Sequence, residues 1–113
     1  MKRGEIWRIN LDPSIGAEIR KTRPAVIVND DKVGILPLRV IVPITDWKDR
    51  YDVASWIVRL DPISTNGLSK ISAADAFQVR SVSQKRFITK LGTLDSDSMN
   101  EIGEALATVL SLP

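Results

Sequence analysis

The chain has 113 residues, with 16 Lys and Arg against 14 Asp and Glu, and it contains neither cysteine nor histidine. This length predicts a single domain over residues 1–113. The missing residue types exclude thiolate nucleophiles, histidine-based catalytic triads, disulfides and the usual nitrogen and sulfur ligands of zinc. Since no apolar run approaches the length of a membrane span, we expect a cytoplasmic protein without a membrane partner.

Apolar and polar residues alternate over residues 5–11, which predicts a half-buried strand, and residues 12–14 then end it as a turn. Further apolar runs predict more strands. These runs cover residues 24–28, 38–44, 56–60, 76–82 and 87–91. Trp7 and Trp56 belong to two of the predicted strands, and we expect both to pack in the core.

The last element follows a helical period and begins at an N-cap candidate, Asp95. Apolar side chains then recur mostly three or four positions apart, at Met99, Ile102, Leu106, Val109 and Leu110. This spacing predicts an amphipathic helix. Several short strands followed by one helix predict an α+β domain built on a small, strongly curved sheet.

The segment Arg20-Lys21-Thr22-Arg23-Pro24 places three basic side chains in a loop directly before an apolar strand. Proline fixes its own φ and restricts the residue before it to extended conformations, so Arg23 is held at the junction of loop and strand. A guanidinium in such a position can bind a phosphate through two parallel hydrogen bonds.

The runs 24–28 and 38–44 can pair as an antiparallel hairpin around Gly34, in which the numbers of opposing residues add to about 68. Arg23 then lies opposite Thr45. Two donors side by side suit phosphoryl chemistry, in which charge builds on the non-bridging oxygens. RNA supplies its own nucleophile, the 2′-hydroxyl, so this chemistry requires neither a metal nor a cofactor.

Gln78 and Arg80 fall on one face of the predicted strand 76–82, opposite Phe77 and Val79. This polar face is compatible with reading base edges or binding phosphates. An ordinary solvated strand face explains the pattern equally well.

An ordered set of segments extends along nearly the whole chain. The segments are Arg3-Gly4-Glu5-Ile6-Trp7, Leu11-Asp12-Pro13, Gly16-Ala17-Glu18, Lys21-Thr22-Arg23-Pro24-Ala25-Val26-Ile27-Val28, Val42-Pro43-Ile44-Thr45 and Gln78-Val79-Arg80. Together they closely resemble the MazF/PemK family of toxin endoribonucleases. The resemblance implies a small SH3-like β-barrel with a C-terminal α-helix, acting as a homodimer. It also implies metal-independent cleavage of single-stranded RNA at short sequences, leaving 2′,3′-cyclic phosphate and 5′-hydroxyl ends.

The resemblance also implies roles for individual residues. Arg23 and Thr45 match the catalytic arginine and threonine of the family, the same two residues that the hairpin register brings together. Glu18 and Gln78 match positions near the RNA, and the loop from Asp12 to Thr22 matches a mobile loop that borders the site. We therefore expect an RNA-binding set formed by Glu18, Arg20, Lys21, Thr22, Gln78 and Arg80.

Such toxins are held inactive by a cognate MazE-like antitoxin, whose acidic, disordered segment lies across the RNA groove, so this resemblance implies an antitoxin partner. The chain departs from its relatives at two positions. Phe77 stands where many carry an acidic residue, and Ala17 stands where serine is common. These departures bear on which RNA sequence is recognised.

Two other functions remain open from the sequence. A DNA gyrase poison resembling CcdB shares the expected fold, but that activity depends on a C-terminal tryptophan, and no aromatic residue follows Phe87 in this chain. A non-catalytic nucleic-acid-binding barrel would use Arg23 to contact phosphate without cleaving it.

Overall fold

Antiparallel strands followed by one C-terminal helix make up the computed structural model, which describes residues 1–34 and 36–113. The strands are β1 Glu5–Asn10, β2 Thr22–Ile27, β3 Leu38–Asp46, β4 Ile57–Leu60, β5 Ser72–Asp75, β6 Arg80–Ser83 and β7 Phe87–Thr93. The helix is α1 Ser96–Leu110. Short 3₁₀ turns occupy Asp49–Val53, Ala76–Gln78 and Gln84–Arg86. The α+β class with a C-terminal helix is therefore confirmed.

The strands pair in the order β4-β5-β3-β2-β1-β7, and β6 pairs with β3. The long strand β3 bends the sheet, because its first half pairs with β6 and its last three residues pair with β5. Over the described ranges the two outer strands, β4 and β7, do not pair with each other, so a closed barrel is not confirmed.

Two apolar clusters stabilise the sheet, one on each face. The larger lies under α1 and includes Ile6, Val26, Val42, Ile44 and Ile102. The smaller, here called the second core, contains Ile9, Leu11, Ala25, Ile27, Ile41 and Val82. Trp7, Ile19 and Phe87 pack against the second core, with the rings of Trp7 and Phe87 edge to face at 5.6 Å. Strand alternation therefore gives β1, β2 and β3 a buried side chain on both faces.

The helix α1 begins where the sequence predicted. The Asp95 side chain accepts a hydrogen bond from the backbone N–H of Ser98 at 3.1 Å, which satisfies one of the unpaired donors of the first turn. Ile102 and Ala105 are buried against the sheet. Within the described ranges, no helix combines the length and the apolar character that crossing a membrane demands.

The predicted strand 76–82 is wrong in its first half. Residues Ala76–Gln78 form a 3₁₀ turn, because the Asp75 carboxylate accepts the backbone N–H of Phe77 at 3.1 Å and caps that turn. Gln78 and Arg80 therefore do not share a strand face, since β6 begins at Arg80. Strand β5 was not predicted, because its buried residues are the small Ser72, Ala73 and Ala74.

The two tryptophan predictions have different outcomes. Trp7 is half-buried against the second core, as expected. Trp56 is 40% exposed, so its placement in the core is wrong. It precedes the first residue of β4, Ile57, and so lies outside the alternating pattern of that strand.

Candidate active site

The site is built on the hairpin of β2 and β3. Ala25 lies opposite Pro43, and Ile27 lies opposite Ile41. This is the register that the sequence predicted from the symmetry of the two runs, and these pairs continue to Pro43 without a bulge. The β2–β3 pairs end at Ala25 and Pro43, and Pro24 has no backbone N–H to donate, so the two strands separate at this end, while β3 continues and pairs with β5 along its other edge.

A pocket of about 190 Å³ opens where β2 begins and β3 ends, and both Arg23 and Thr45 line it. We call it the arginine pocket. Its other walls come from Arg8, Thr22, Pro24, Ile44, Asp46, Leu91 and the segment 67–72, of which Gly67, Leu68, Ser69, Lys70 and Ser72 contribute. The hairpin thus brings Arg23 and Thr45 into one small, mostly polar cavity.

Arg23 is half-buried, and its Nε atom is buried without a hydrogen-bond partner among the described residues. A buried donor left unpaired costs about 1–3 kcal/mol, and more when the group is charged. The Nε of this cation is therefore a desolvated donor, while the residue as a whole keeps part of its contact with solvent. An anionic ligand that reaches Nε recovers this cost.

Basic groups outnumber acidic groups around the arginine pocket. Arg8, Arg23 and Lys70 line it, and among its described lining residues Asp46 is the one carboxylate. Lys70 Nζ lies 3.0 Å from Asp46 Oδ1, so the charges of these two residues cancel. The positive charges of Arg8 and Arg23 remain. The pocket keeps a net positive charge, which favours a phosphate over a neutral ligand.

A larger cleft of about 520 Å³, here called the glutamine cleft, lies beside the second core. Its walls are Leu11, Ala17, Glu18, Ile19, Pro43, Phe77, Gln78, Val79 and Arg80. The structure therefore brings Glu18, Gln78 and Arg80 together, although Gln78 lies in a turn and not on the predicted strand. Pro43 borders this cleft two residues before Thr45, so the cleft and the arginine pocket are neighbours along β3.

The polar side chains of the glutamine cleft are used within the chain. Gln78 Oε1 accepts the backbone N–H of Ile19 at 2.6 Å, and Gln78 Nε2 donates to Asp75 Oδ2 at 3.3 Å. Glu18 Oε1 accepts the backbone N–H of Ile15 at 2.7 Å. Arg80 Nη1 donates to the carbonyl of Leu11 at 3.5 Å. The bonds from Ile19 to Gln78 and from Arg80 to Leu11 fasten the loop between β1 and β2, residues 11–21, to the rest of the domain, and the Glu18 bond lies within the loop.

The remaining predicted residues lie at the end of this loop. Thr22 lines the arginine pocket. Arg20 and Lys21 are exposed, and they are not lining residues of the arginine pocket or the glutamine cleft. Lys21 has a φ of 69°, and its backbone N–H donates to Asp12 Oδ1 at 3.0 Å. This left-handed residue turns the chain into β2.

Several residues near the site were not singled out from the sequence. Arg8 carried a weak signal, because it falls on the polar side of the alternating strand β1. Lys70 and Ser69 carried none, since they lie in an irregular segment that only the fold brings to the pocket. Asp75 was also missed. Burial raises the pKa of its carboxyl, an effect that the hydrogen bonds from Phe77 and Gln78 oppose.

In the part of the chain that the structure covers, acidic side chains do not gather in groups of three or more that could hold a metal ion. The Asp95 carboxylate serves the helix cap, and hydrogen bonds from the Ser98 hydroxyl and backbone lower its pKa.

The curved antiparallel sheet with one helix defines a small domain with a basic pocket, in which the Nε of Arg23 is buried without a partner among the described residues, beside a larger and mostly apolar cleft. Such a pocket suits an anionic ligand. Residues 2–110 match the family model of the PemK-like, MazF-like toxin of type II toxin-antitoxin systems. The chain belongs to this family, as the sequence motifs predicted.

Individual relatives extend over the same length. Endoribonuclease MazF9 of Mycobacterium tuberculosis is 33% identical over 118 residues, which cover 99% of this chain and 98% of that relative. Endoribonuclease PemK of Escherichia coli is 34% identical over 115 residues, which cover 98% of this chain and 83% of PemK. The solved structure of an endoribonuclease in complex with its cognate antitoxin, from mycobacterial species, superposes with a TM-score of 0.79. That structure is 24% identical and covers 100% of this chain and 97% of its own, so it supports the fold.

Proposed function

We propose that the chain is the toxin of a type II toxin-antitoxin pair and an endoribonuclease that cleaves single-stranded RNA, including mRNA, at the arginine pocket. The observation that carries this proposal is the buried, unpartnered Nε of Arg23 in a basic pocket that Thr45 also lines. Family membership and the endoribonuclease relatives support it.

The chemistry uses the 2′-hydroxyl of the RNA itself as nucleophile and the two proposed catalytic residues as hydrogen-bond donors. The 2′-oxygen forms a bond to the adjacent phosphorus while the bond from phosphorus to the 5′-oxygen breaks, which leaves a 2′,3′-cyclic phosphate and a 5′-hydroxyl. The proton of the 2′-hydroxyl passes to solvent water, and solvent water returns a proton to the departing 5′-oxygen. Arg23 stabilises the charge on the non-bridging oxygens, and the Thr45 hydroxyl donates a further hydrogen bond. Holding the 2′-oxygen in line supplies the rest of the rate enhancement without a metal or cofactor.

The proposed RNA-binding residues have different positions relative to the arginine pocket. Glu18, Gln78 and Arg80 line the glutamine cleft, where a base or phosphate next to the cleaved bond would lie. Thr22 contacts the same pocket as Arg23. The exposed Arg20 and Lys21 add positive charge at the end of the loop before β2, which attracts the RNA backbone and makes binding sensitive to salt.

The same charge supports an antitoxin partner. A MazE-like antitoxin with an acidic, disordered segment would compete with RNA for Arg8 and Arg23 at the arginine pocket. The family resemblance further suggests a homodimer, a cytoplasmic location and a single toxin domain over residues 1–113. Light scattering on the purified protein tests the dimer directly.

We propose further that the curved sheet forms an SH3-like barrel. Its support is a contact between the two ends of the sheet. The backbone N–H of Thr93, in β7, donates to the carbonyl of Thr65 at 2.9 Å, in the loop that follows β4. This contact lets the curved sheet close through a loop, and an experimental structure tests it.

The experiment incubates purified protein with a long single-stranded RNA in excess EDTA and maps the new ends by primer extension. Discrete cuts with 5′-hydroxyl ends are the expected result and reveal the recognition sequence. RNA that is bound but remains intact would support the non-catalytic binding module instead. If RNA is neither bound nor cut, a gyrase assay tests the remaining alternative.

A further inference from the structure

The loop between β1 and β2 is held to the body of the domain at two places. Near its start, Arg86 Nη1 donates to the carbonyls of Asn10 and Asp12, and Arg80 Nη1 donates to that of Leu11. Near its end, the side chain of Ile19 packs on the second core, and the backbone N–H of Ile19 donates to Gln78 Oε1. Residues 15–18, between these places, are exposed.

Gln78 therefore connects the end of the loop to an element 59 residues away in sequence. Its second contact with the loop is longer, from Nε2 to the Ala17 carbonyl at 3.5 Å. The 2.6 Å bond to Ile19 requires an acceptor, so the oxygen end of the Gln78 amide has to face the loop.

Asp75, together with the longer contact to Ala17, determines which end of that amide meets the backbone N–H of Ile19. Its carboxylate can only accept hydrogen bonds, and Oδ2 lies 3.3 Å from Gln78 Nε2, which directs the nitrogen end of the amide toward Asp75. The other carboxylate oxygen caps the 3₁₀ turn through the backbone N–H of Phe77, so the orientation of the Asp75 side chain is itself fixed. Asp75 is not a lining residue of the arginine pocket or the glutamine cleft.

From this chain of contacts we infer that Asp75 is a positioning residue, which orients the Gln78 amide and thereby fastens the loop at Ile19 over the glutamine cleft. Both ends of the Gln78 amide are occupied within the chain. RNA that forms hydrogen bonds with Gln78 has to displace the loop from it. If the loop stays bound to Gln78, the RNA contacts a cleft whose wall is already formed. The consequence for RNA rests on the proposed function, but the positioning itself does not.

The test measures the hydrogen-exchange rate of the Ile19 amide in the full chain without RNA. In Asp75→Asn, the oxygen of the new side chain can still cap Phe77, so its NH₂ group faces Gln78. The Gln78 amide then turns over and presents a donor to the Ile19 N–H. We expect the Ile19 amide to exchange about tenfold faster or more, as it does in Gln78→Ala. Asp61→Asn, which removes an exposed carboxylate paired with Arg59, is the matched control and leaves the rate unchanged.

A double variant separates positioning from general loosening. Asp75→Asn combined with Gln78→Glu exchanges donor and acceptor between the two side chains. The new amide at position 75 can then donate to one oxygen of the new carboxylate at position 78, and the other oxygen accepts from Ile19. We expect the exchange rate of the Ile19 amide to return toward that of the wild type. An unchanged rate in Asp75→Asn overturns the inference, and so does a double variant that exchanges as fast as the single one.

RNA kinetics give an independent result. Since Asp75 acts on the cleft and not on the arginine pocket, Asp75→Asn should raise KM several-fold with kcat close to that of the wild type. A fall in kcat at constant KM contradicts the positioning role. If the wild type cuts no RNA while the exchange rates behave as expected, the proposed function fails and the positioning of the loop stands.

Discussion

Ala25 of β2 lies directly opposite Pro43 of β3. Because side chains alternate along a strand, Arg23 is on the side of β2 that Ala25 occupies, and Thr45 is on the side of β3 that Pro43 occupies. The arginine and the threonine therefore extend from one face of the sheet, at the point where the two strands separate. This pairing places the two central residues of the arginine pocket on the hairpin itself.

Thr45 contributes one neutral donor to the proposed reaction, so its removal should slow cleavage without abolishing it. We expect Thr45→Ala to reduce the single-turnover rate on a saturating RNA by about tenfold, the value of one hydrogen bond of ordinary strength. Thr45→Ser keeps the hydroxyl and should retain most of the rate. Equal losses in the two variants would show that the hydroxyl has no part in the reaction.

Gly92 and Gly103 give opposite predictions for stability. A Cβ added at Gly92 would lie 2.4 Å from the carbonyl oxygen of Thr65 and 2.5 Å from the backbone carbon of Asn66. Gly92→Ala should therefore reduce the free energy of unfolding by about 3 kcal/mol, because backbone must move. Gly103 lies within α1, and a Cβ added there has no atom within 4 Å. Because alanine is favoured over glycine within a helix, Gly103→Ala should raise the free energy of unfolding by about 1 kcal/mol. Urea unfolding measures both, and a Gly92→Ala protein as stable as the wild type would contradict the close contact between β7 and the loop after β4.

Glu5 makes stability depend on pH in the acidic range. Burial acts to raise its pKa, but hydrogen bonds from the Trp7 indole and Lys90, together with the N-terminal amine, outweigh burial and lower the pKa from 4.5 to about 2. A carboxyl whose pKa is lower in the folded state stabilises the fold above its unfolded pKa. That contribution is lost as the pH falls from about 4.5 toward 2.

Glu5→Gln removes the charge and keeps an oxygen for Trp7. The difference in free energy of unfolding between wild type and variant should therefore be larger at about pH 6 than at about pH 3. Urea unfolding at both pH values measures this difference. A difference that does not change with pH would mean that the Glu5 carboxylate is not stabilised by its neighbours.

The register of β2 and β3 was predictable because two apolar runs lie symmetrically around Gly34, and a shift by one residue would place side chains that fit one core against the other core. Arg23 and Thr45 follow from that register. The turn at Gln78 was not predictable from the apolar pattern, since the Asp75 side chain competes with the strand for the backbone N–H of Phe77.

Lys70 could not have been placed by any local pattern. It follows a turn organised by the buried side chain of Asn66, which accepts from the backbone N–H groups of Ile63 and Leu68 and donates to the carbonyl of Asp61. Such a polar anchor in an irregular segment depends on the surrounding core. The walls of the arginine pocket that come from this segment are therefore set by tertiary structure, whereas its two central residues are set by strand pairing.

The most direct measurement compares cleavage of one single-stranded RNA by the wild type, Arg23→Ala and Arg59→Ala in excess EDTA. Arg59 is an exposed arginine paired with Asp61, outside the arginine pocket, and it controls for the loss of one positive charge. We expect Arg23→Ala to cut at least about a hundredfold more slowly with its circular dichroism spectrum unchanged, and Arg59→Ala to cut like the wild type. An Arg23→Ala protein that cuts RNA at the wild-type rate would contradict the proposed active site.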